Sequence, residues 1–469
     1  MTARLRPSNT HNSNRTKHCL EILDQETDLL RLHRVAPQRY PFLLESVLHG
    51  TAQARYDILF AFPGETLTLQ ADGRLRGEHY QPSGNDFLHN LDQWWSREHD
   101  AADTDMGLPF IGGWFLYLGY ELAGQVEPGL DLPLALHDDH LPMACAVRIP
   151  AAIIVDHQRH TTTLMAESGH DRLLEDMARD MADAPALARG EEPPLITSAL
   201  TEDDPAEYIR GVDNIKAYIR AGDIFQVNLS RAWRGELREG IKAAHIYQRL
   251  KHSNPAPFSA LCLLGDSAII SSSPERLVSV RGDVIETRPI AGTTPRTAAG
   301  EDGDELEDRL LAHPKERAEH IMLIDLERND LGRVCRPGTI EVNELLVLES
   351  YAHVHHLVSN VRGCRREGVG PGQVIRAVFP GGTITGCPKV RCMEIIAELE
   401  RRPRKAYTGS VGYLNHDGSL DLNILIRTIV KEGRRITLRA GAGIVADSMA
   451  HRELEETRAK ARGMLRALL

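Results

Sequence analysis

The stretch AYTGSVGYLNHDGSLDLNILIRTIVKEGRRITLRAGAGIV, residues 406–445, decides the fold. Its apolar and β-branched residues fall into three runs, AYTGSVGYL, DLNILIRTIV and RRITLRAGAGIV, joined through Asp417-Gly418 and Glu432-Gly433. Dipeptides of that kind supply the backbone geometry of tight hairpins, so the stretch reads as an antiparallel meander. A closing helix runs from about His451 to Leu468, where Leu454, Ala461 and Leu465 form an apolar stripe beside a charged edge.

Upstream, Ile215, Tyr218 and Ile219 keep helical spacing until Ala221-Gly222-Asp223. Alternation then takes over, with Phe225, Val227 and Leu229 on one face of a strand and Gln226 and Asn228 on the other. Nearer the start, RYDILFAF, ETLTL, VRIPAAIIV and HTTTLMA read as short strands, with Ala71-Asp72-Gly73 and Asp156-His157-Gln158 as hairpin turns. Between these halves lies ADAPALARGEEPPLITSALTEDDP, from Ala182 to Pro205, whose Ala, Pro, Gly and acidic residues suit an exposed linker. The expected organisation is a disordered tail over 1–17, an N-terminal α+β domain over 18–182, a linker over 183–204 and a second domain over 205–469. No repeat of fixed period suggests a solenoid or propeller.

Composition narrows the function classes. With 42% hydrophobic and 26% charged residues the chain is that of an ordinary globular protein. No apolar run approaches the ~20 residues that span a bilayer, and no apolar segment follows the polar start, so neither a membrane span nor a secretory signal is expected. Cys19, Cys145, Cys262, Cys335, Cys364, Cys387 and Cys392 are dispersed, without the spacing of a zinc site or a disulfide framework, which fits a reducing cytoplasm. The net charge of −11, with no basic block, argues against nucleic acid as a partner.

Two pairs of carboxylates recur at helical spacing. In HPKERAEHIML, Pro314 suits a first helical turn and places Glu316 and Glu319 on one face. In HRELEETRAK, Glu453 and Glu456 repeat the spacing, with Lys460 one turn further on. Like charges so placed repel, and building them twice points to oxygen ligands for a hard cation such as magnesium. Two solvated helix faces are the competing reading.

FPGGTITGCPKVRCMEIIAELE (Phe379 to Glu400), ETRPIAGTTPR (Glu286 to Arg296) and KERAEHIMLIDLERNDLGRV (Lys315 to Val334) favour the metal. Together they resemble the synthase subunits of anthranilate synthase and aminodeoxychorismate synthase, within the family of chorismate-utilising enzymes, over about 203–462. The resemblance implies an α+β fold of the anthranilate synthase component I kind, two orthogonally packed antiparallel sheets with helices outside. It also implies that Glu319 and Glu456 hold Mg2+ directly, with Glu316 and Glu453 nearby or through water, and that the metal grips the ring carboxylate of chorismate. Arg427 in NILIRT and Tyr407 in AYTGS match the pair that binds the second carboxylate, for which a guanidinium fork is well shaped. Gly441 and Gly443 let backbone approach the substrate, and Lys460 adds a point charge. Glu275 in SSSPERLVSV matches the catalytic acid, and His356, beside His353 and His355, matches the histidine near the leaving C4 hydroxyl. Thr383 and Thr385 are either hydroxyl hydrogen-bonders to substrate or loop caps.

Gln226 stands where water-using relatives carry a lysine, and an amide cannot act as a general base, so ammonia is the expected nucleophile. FPGGTITG and RYDILFA resemble the aminodeoxychorismate enzymes; Ala291, where many of those have a lysine, departs from them and leaves anthranilate synthesis as the alternative. A non-catalytic chorismate- or tryptophan-binding subunit is the alternative of another class. FLLES, ending at Ser46, resembles a tryptophan pocket walled by Gln53, Ala54, Arg55, Tyr56, Pro257, Phe258 and Ser259, against which stands ordinary core packing. No cysteine lies in the elbow of a glutamine amidotransferase, so ammonia is expected from a separate subunit of that kind or from free ammonium.

Overall fold

The computed structural model describes residues 18–47, 55–99, 107–134, 140–185, 194–295, 314–350 and 354–469, with side chains except at 291–295, 314–319, 350 and 354–355. The tail over 1–17, Gln53 and Ala54 lie outside the described residues.

Local sequence explains most of the elements. Asp204 caps the helix Pro205–Ala221 by accepting from the Ala206 N–H, Pro205 begins it, and Gly222 ends it in the left-handed conformation at φ 81. Strands such as Tyr56–Ala61 and Ala151–Asp156 are apolar almost throughout because both of their faces are buried. Among the described residues the strands form a twelve-stranded and an eleven-stranded sheet, and every ladder is antiparallel.

The layers follow from which alternate residue points where. Leu43, Leu59, Ile153 and Leu164 of the larger sheet share a core with Tyr247, Leu250, Met464 and Leu468 from the outer helices Ala243–Ser253 and Ala450–Leu468. Their neighbours Phe42, Phe60, Ile154 and Met165 face the other way and meet Phe115, Tyr117 and Tyr413 of the smaller sheet. Phe42 stacks on Phe115 with ring centroids 3.8 Å apart. On the far side of the smaller sheet, Trp114, Leu116 and Val278 pack under Leu91 and Trp94 of Phe87–Glu98, Ile324 and Leu331 of Pro314–Gly332, and Ile375 of Pro371–Val378. The order is helices, sheet, sheet, helices. Cutting a fully buried leucine such as Leu116 to alanine is expected to cost about 2–5 kcal/mol.

Two expectations are corrected. The halves either side of 183–204 do not have separate cores, because both sheets run through them. In the larger sheet Phe42–Glu45 pairs directly with Phe258–Leu264; in the smaller, Gly113–Leu118 pairs with Ser410–Asn415. The expected linker is itself anchored: Leu195 and Ile196 are buried, Leu195 N–H donates to Leu468 O at 2.9 Å, and Ile196 bridges Leu237. The meander of 406–445 is likewise divided. Ser410–Asn415 and Leu420–Asn423 belong to the smaller sheet, whereas Thr428–Glu432 and Arg435–Ile444 belong to the larger. The run DLNILIRTIV thus crosses from one sheet to the other between Asn423 and Thr428.

Candidate active site

A second crossing lies beside the first. Ser267–Ser273 pairs with Thr428–Glu432 in the larger sheet and Arg276–Arg281 pairs with Leu420–Asn423 in the smaller, so Pro274 and Glu275 change sheets next to Ile424–Arg427. Backbone bonds lock the crossings together, from Ile424 N–H to Glu275 O at 3.0 Å and from Ser272 N–H to Arg427 O at 3.2 Å. Arg427 takes a left-handed φ of 51, a strained conformation for a residue with a side chain.

Glu275 and Arg427 therefore share a buried corner. Burial drives the Glu275 carboxyl up to about 7, while the Thr383 hydroxyl, Arg427 and Lys460 pull the other way. Thr383 lies close enough to favour the ionised form yet short of a full hydrogen bond. The Arg427 guanidinium makes no hydrogen bond or ion pair with the described residues, and burial lowers its pKa despite the nearby Glu275. A desolvated guanidinium without a carboxylate is an anion site in waiting. The two threonines divide their roles: Thr385 Oγ1 caps the glycine-rich turn by donating to Gly381 O at 2.9 Å, and Thr383 faces Glu275.

The floor is the pair of strands Gln226–Glu236 and Arg435–Ile444. A Cβ at Gly441 would lie 2.6 Å from Asn228 Oδ1, 2.7 Å from Leu229 O and 2.8 Å from the Tyr407 hydroxyl; one at Gly443 would lie 2.3 Å from Gln226 Nε2. Gly441 admits glycine alone, because the Leu229 carbonyl cannot yield, whereas at Gly443 the end of the Gln226 side chain would have to move. Tyr407 is buried, with its hydroxyl pushed up to about 12, and Lys460 Nζ donates to Gly441 O at 3.0 Å. His356 is buried beside Phe258, Pro274, Arg276 and Glu349 around a small cavity, which the two chain neighbours of Glu275 line and Glu275 itself does not. The side chain of His355, and His353 altogether, lie outside the described residues.

Behind this floor sits a network that sequence reasoning missed. Glu400 accepts from Arg404 and Arg439 at 2.6 Å each and from Ser230 Oγ at 2.8 Å. Arg404 also donates to Asn228 O at 2.8 Å and Ile384 O at 3.1 Å, tying the floor strand to the glycine-rich turn. Two guanidiniums hold the buried Glu400 carboxyl below its ordinary range. In sequence, ELERRPRK looks like a solvated helix end; the visible signal is Glu400 and Arg404 four residues apart. Glu327 is a second missed group, lying behind Gly382 with its pKa pushed up by burial and by Asp330.

Of the four expected metal ligands, Glu453 is half-buried and Glu456 is exposed and paired with Lys460 at 2.7 Å, both near the buried Tyr208 hydroxyl. The side chains of Glu316 and Glu319 lie outside the description, and no group of three or more His, Cys, Asp or Glu stands ready for a metal among the described residues. Carboxylate oxygens on Glu453 and Glu456 fit a hard cation in kind.

The supposed tryptophan walls divide. Ser46 and Pro257 meet, with Ser46 Oγ donating to Pro257 O at 3.1 Å, and Ser259 Oγ donates to Ala256 O at 3.2 Å. Phe258 lies under the Arg276 guanidinium, 5.0 Å from its ring centroid. Arg55 is spent on Asp156 through two bonds at 2.7 and 3.0 Å, and Tyr56 donates to Gly107 O at 2.9 Å. No helix among the described residues is long and apolar enough to cross a membrane.

Comparison with known proteins gives this corner its context. An anthranilate synthase component I-like protein of Synechocystis sp. is 41% identical over 397 residues, covering 84% of this chain and 81% of the relative. Aminodeoxychorismate synthase component 1 of Bacillus subtilis is 41% identical over 379 residues, covering 78% and 79%. The crystal structure of anthranilate synthase component I from Streptococcus pneumoniae superposes with a TM-score of 0.76 at 30% identity, covering 89% of this chain and 94% of that one. The family model described as chorismate binding enzyme matches residues 45–466, and the chain belongs to that family.

Proposed function

We propose that this chain is a synthase subunit that joins ammonia to chorismate to give 4-amino-4-deoxychorismate and water, with ammonia delivered by a separate glutamine amidotransferase subunit. The observation that carries the reading is Arg427, a largely desolvated cation with no ion-pair partner among the described residues, set beside Glu275, an acid that burial raises to about 7. Arg427 and Tyr407 bind the enolpyruvyl carboxylate. Glu275, protonated in about half the molecules near neutral pH, is the general acid, and His356 stands by the C4 hydroxyl that leaves as water. As the C4–O bond breaks, the leaving oxygen takes a proton and the bond to nitrogen forms. Glu316, Glu319, Glu453 and Glu456 would hold magnesium, which when bound supplies a fixed positive charge for the ring carboxylate. Tryptophan, by the resemblance of FLLES, is the ligand class for the pocket that Ser46 and Pro257 would wall.

The product follows from FPGGTITG and RYDILFA and agrees with the name of the Bacillus relative. Ala291 favours a second reading, anthranilate synthesis, because a methyl group cannot form the covalent adduct open to a lysine there. The test is incubation of the purified chain with chorismate, magnesium and ammonium salt, followed by fluorescence and mass. A product retaining the enolpyruvyl group supports amination at C4, fluorescent anthranilate with pyruvate replaces it by the second reading, and no turnover refutes both.

A further inference from the structure

We propose that Asn228 joins Gln226, the position that the family resemblance already ties to the nucleophile, in the subsite for the nitrogen nucleophile, and that Asn228 sets the affinity for ammonia; the inference rests on the amination reading above. The two residues alternate along one strand and so share a face, and the neighbouring strand presents Gly443 and Gly441 to them. The end of each side chain lies against one glycine: a Cβ at Gly443 would meet Gln226 Nε2 and one at Gly441 would meet Asn228 Oδ1. Gln226 Oε1 and Asn228 Oδ1 are buried, and neither has a hydrogen-bond partner. Buried carbonyl oxygens are ordinarily satisfied, so two orphans side by side at the site floor call for a ligand that brings N–H or O–H donors.

The backbones beneath them are fixed. Asn228 N–H donates to Thr385 O at 2.9 Å, Asn228 O accepts from Arg404 at 2.8 Å, and Gln226 O accepts from Cys392 Sγ at 3.1 Å. The strand that carries the two amides is therefore held, while their carbonyl oxygens have no hydrogen-bond partner among the described residues. Ammonia matches them: two of its N–H groups bond to the two carbonyls while the lone pair stays free for the substrate ring. Water in the same place gains no base, because an amide takes up no proton near neutral pH. The subsite thus favours a nucleophile that needs no activation.

Steady-state kinetics of the full chain with magnesium, varying ammonium chloride at saturating chorismate and then the reverse, tests this. Asn228→Leu is expected to raise the KM for ammonium about three- to tenfold, the loss of one neutral hydrogen bond, and to leave the KM for chorismate within about twofold. Asn228→Asp keeps an acceptor oxygen and is expected to return the KM for ammonium to the wild-type value or below. A rise confined to the KM for chorismate would assign Asn228 to the carbon substrate and overturn the proposal. So would Asn228→Asp behaving like Asn228→Leu, which marks a structural role. Should Asn228→Leu fail to fold by circular dichroism, Asn228→Ala takes its place in the comparison. A wild-type chain that converts chorismate with water, or not at all, at saturating ammonium ends the amination reading itself, whereas an active wild type with an unmoved KM for ammonium in the variants ends only the subsite.

Discussion

Replacing Glu275 by glutamine is expected to abolish turnover and at the same time to stabilise the protein at alkaline pH. In the unfolded chain this carboxyl ionises near 4.5; in the fold, burial delays ionisation to about 7. Between those values the unfolded state gains from losing the proton and the folded state does not, so stability is full below about 4.5 and falls as pH rises through 7. At ~1.4 kcal/mol per pH decade, the window from 4.5 to about 7 works out at about 3 kcal/mol against the fold near pH 8, and under about 1 kcal/mol near pH 5. Glutamine keeps the shape and cannot ionise, so Glu275→Gln escapes this penalty. Urea unfolding followed by intrinsic fluorescence at the two pH values measures it: the variant's advantage over wild type is expected to grow by about 2 kcal/mol from pH 5 to pH 8. An advantage that does not change with pH, or a variant that still turns over chorismate, would refute the account of Glu275 as a desolvated acid.

Other outcomes follow from the same geometry. Arg427→Met is expected to raise the KM for chorismate roughly ten- to a hundredfold, the worth of a charge-assisted hydrogen bond, and to move the alkaline limb of the kcat–pH profile upward, because Glu275 acts in its protonated form and Arg427 holds its pKa down; an unmoved profile in steady-state assays would separate the two groups. Gly441→Ala presses a methyl against Leu229 O, which cannot yield, and is expected to lower the thermal midpoint by the equivalent of about 1–3 kcal/mol along with activity. Glu400→Gln leaves Arg404 and Arg439 buried without their carboxylate and is expected to cost about 3–5 kcal/mol in urea unfolding, whereas a near-neutral effect would show that Ser230 and the carbonyls suffice. Glu456→Ala is expected to abolish turnover at ordinary magnesium; activity retained at saturating magnesium would remove Glu456 from the metal site.

What could be read from the chain and what could not divide along a physical line. Hairpins at Asp72-Gly73 and Asp417-Gly418 and the helix opened by Asp204-Pro205 are local, and their signals lie within a few residues. Sheet membership is not local. A strand buried on both faces has no polar side to betray its partner, so DLNILIRTIV reads as one strand although Arg427 turns it from one sheet into the other. The same blindness made a domain boundary of 183–204, where Pro and acidic residues mask the buried Leu195 and Ile196. In the site, Glu275, Tyr407 and Arg427 are named through motifs, and nothing in the spacing of Glu275 and Arg427 foretells that two sheet crossings bring them together. Glu400, Arg404 and Arg439 were missed because charged residues at a helix end are ordinarily solvated.

That the crossings carry the site has a cause of its own. Within either sheet, each backbone group is committed to a neighbouring strand and each side chain to a packed layer, so an unpaired charge there would have nothing to offset its desolvation. Where Ser273-Pro274-Glu275 and Ile424–Arg427 leave one sheet for the other, the ladders end; Ile424 and Leu425 still pack into the apolar cores, whereas Glu275 and Arg427 are left beside each other. Such a corner can hold an acid near neutrality and a cation without its anion, at the cost of stability that the glutamine variant is expected to recover. The stabilising layers and the destabilised corner are thus two results of one arrangement, and removing the strain at Glu275 removes the chemistry with it.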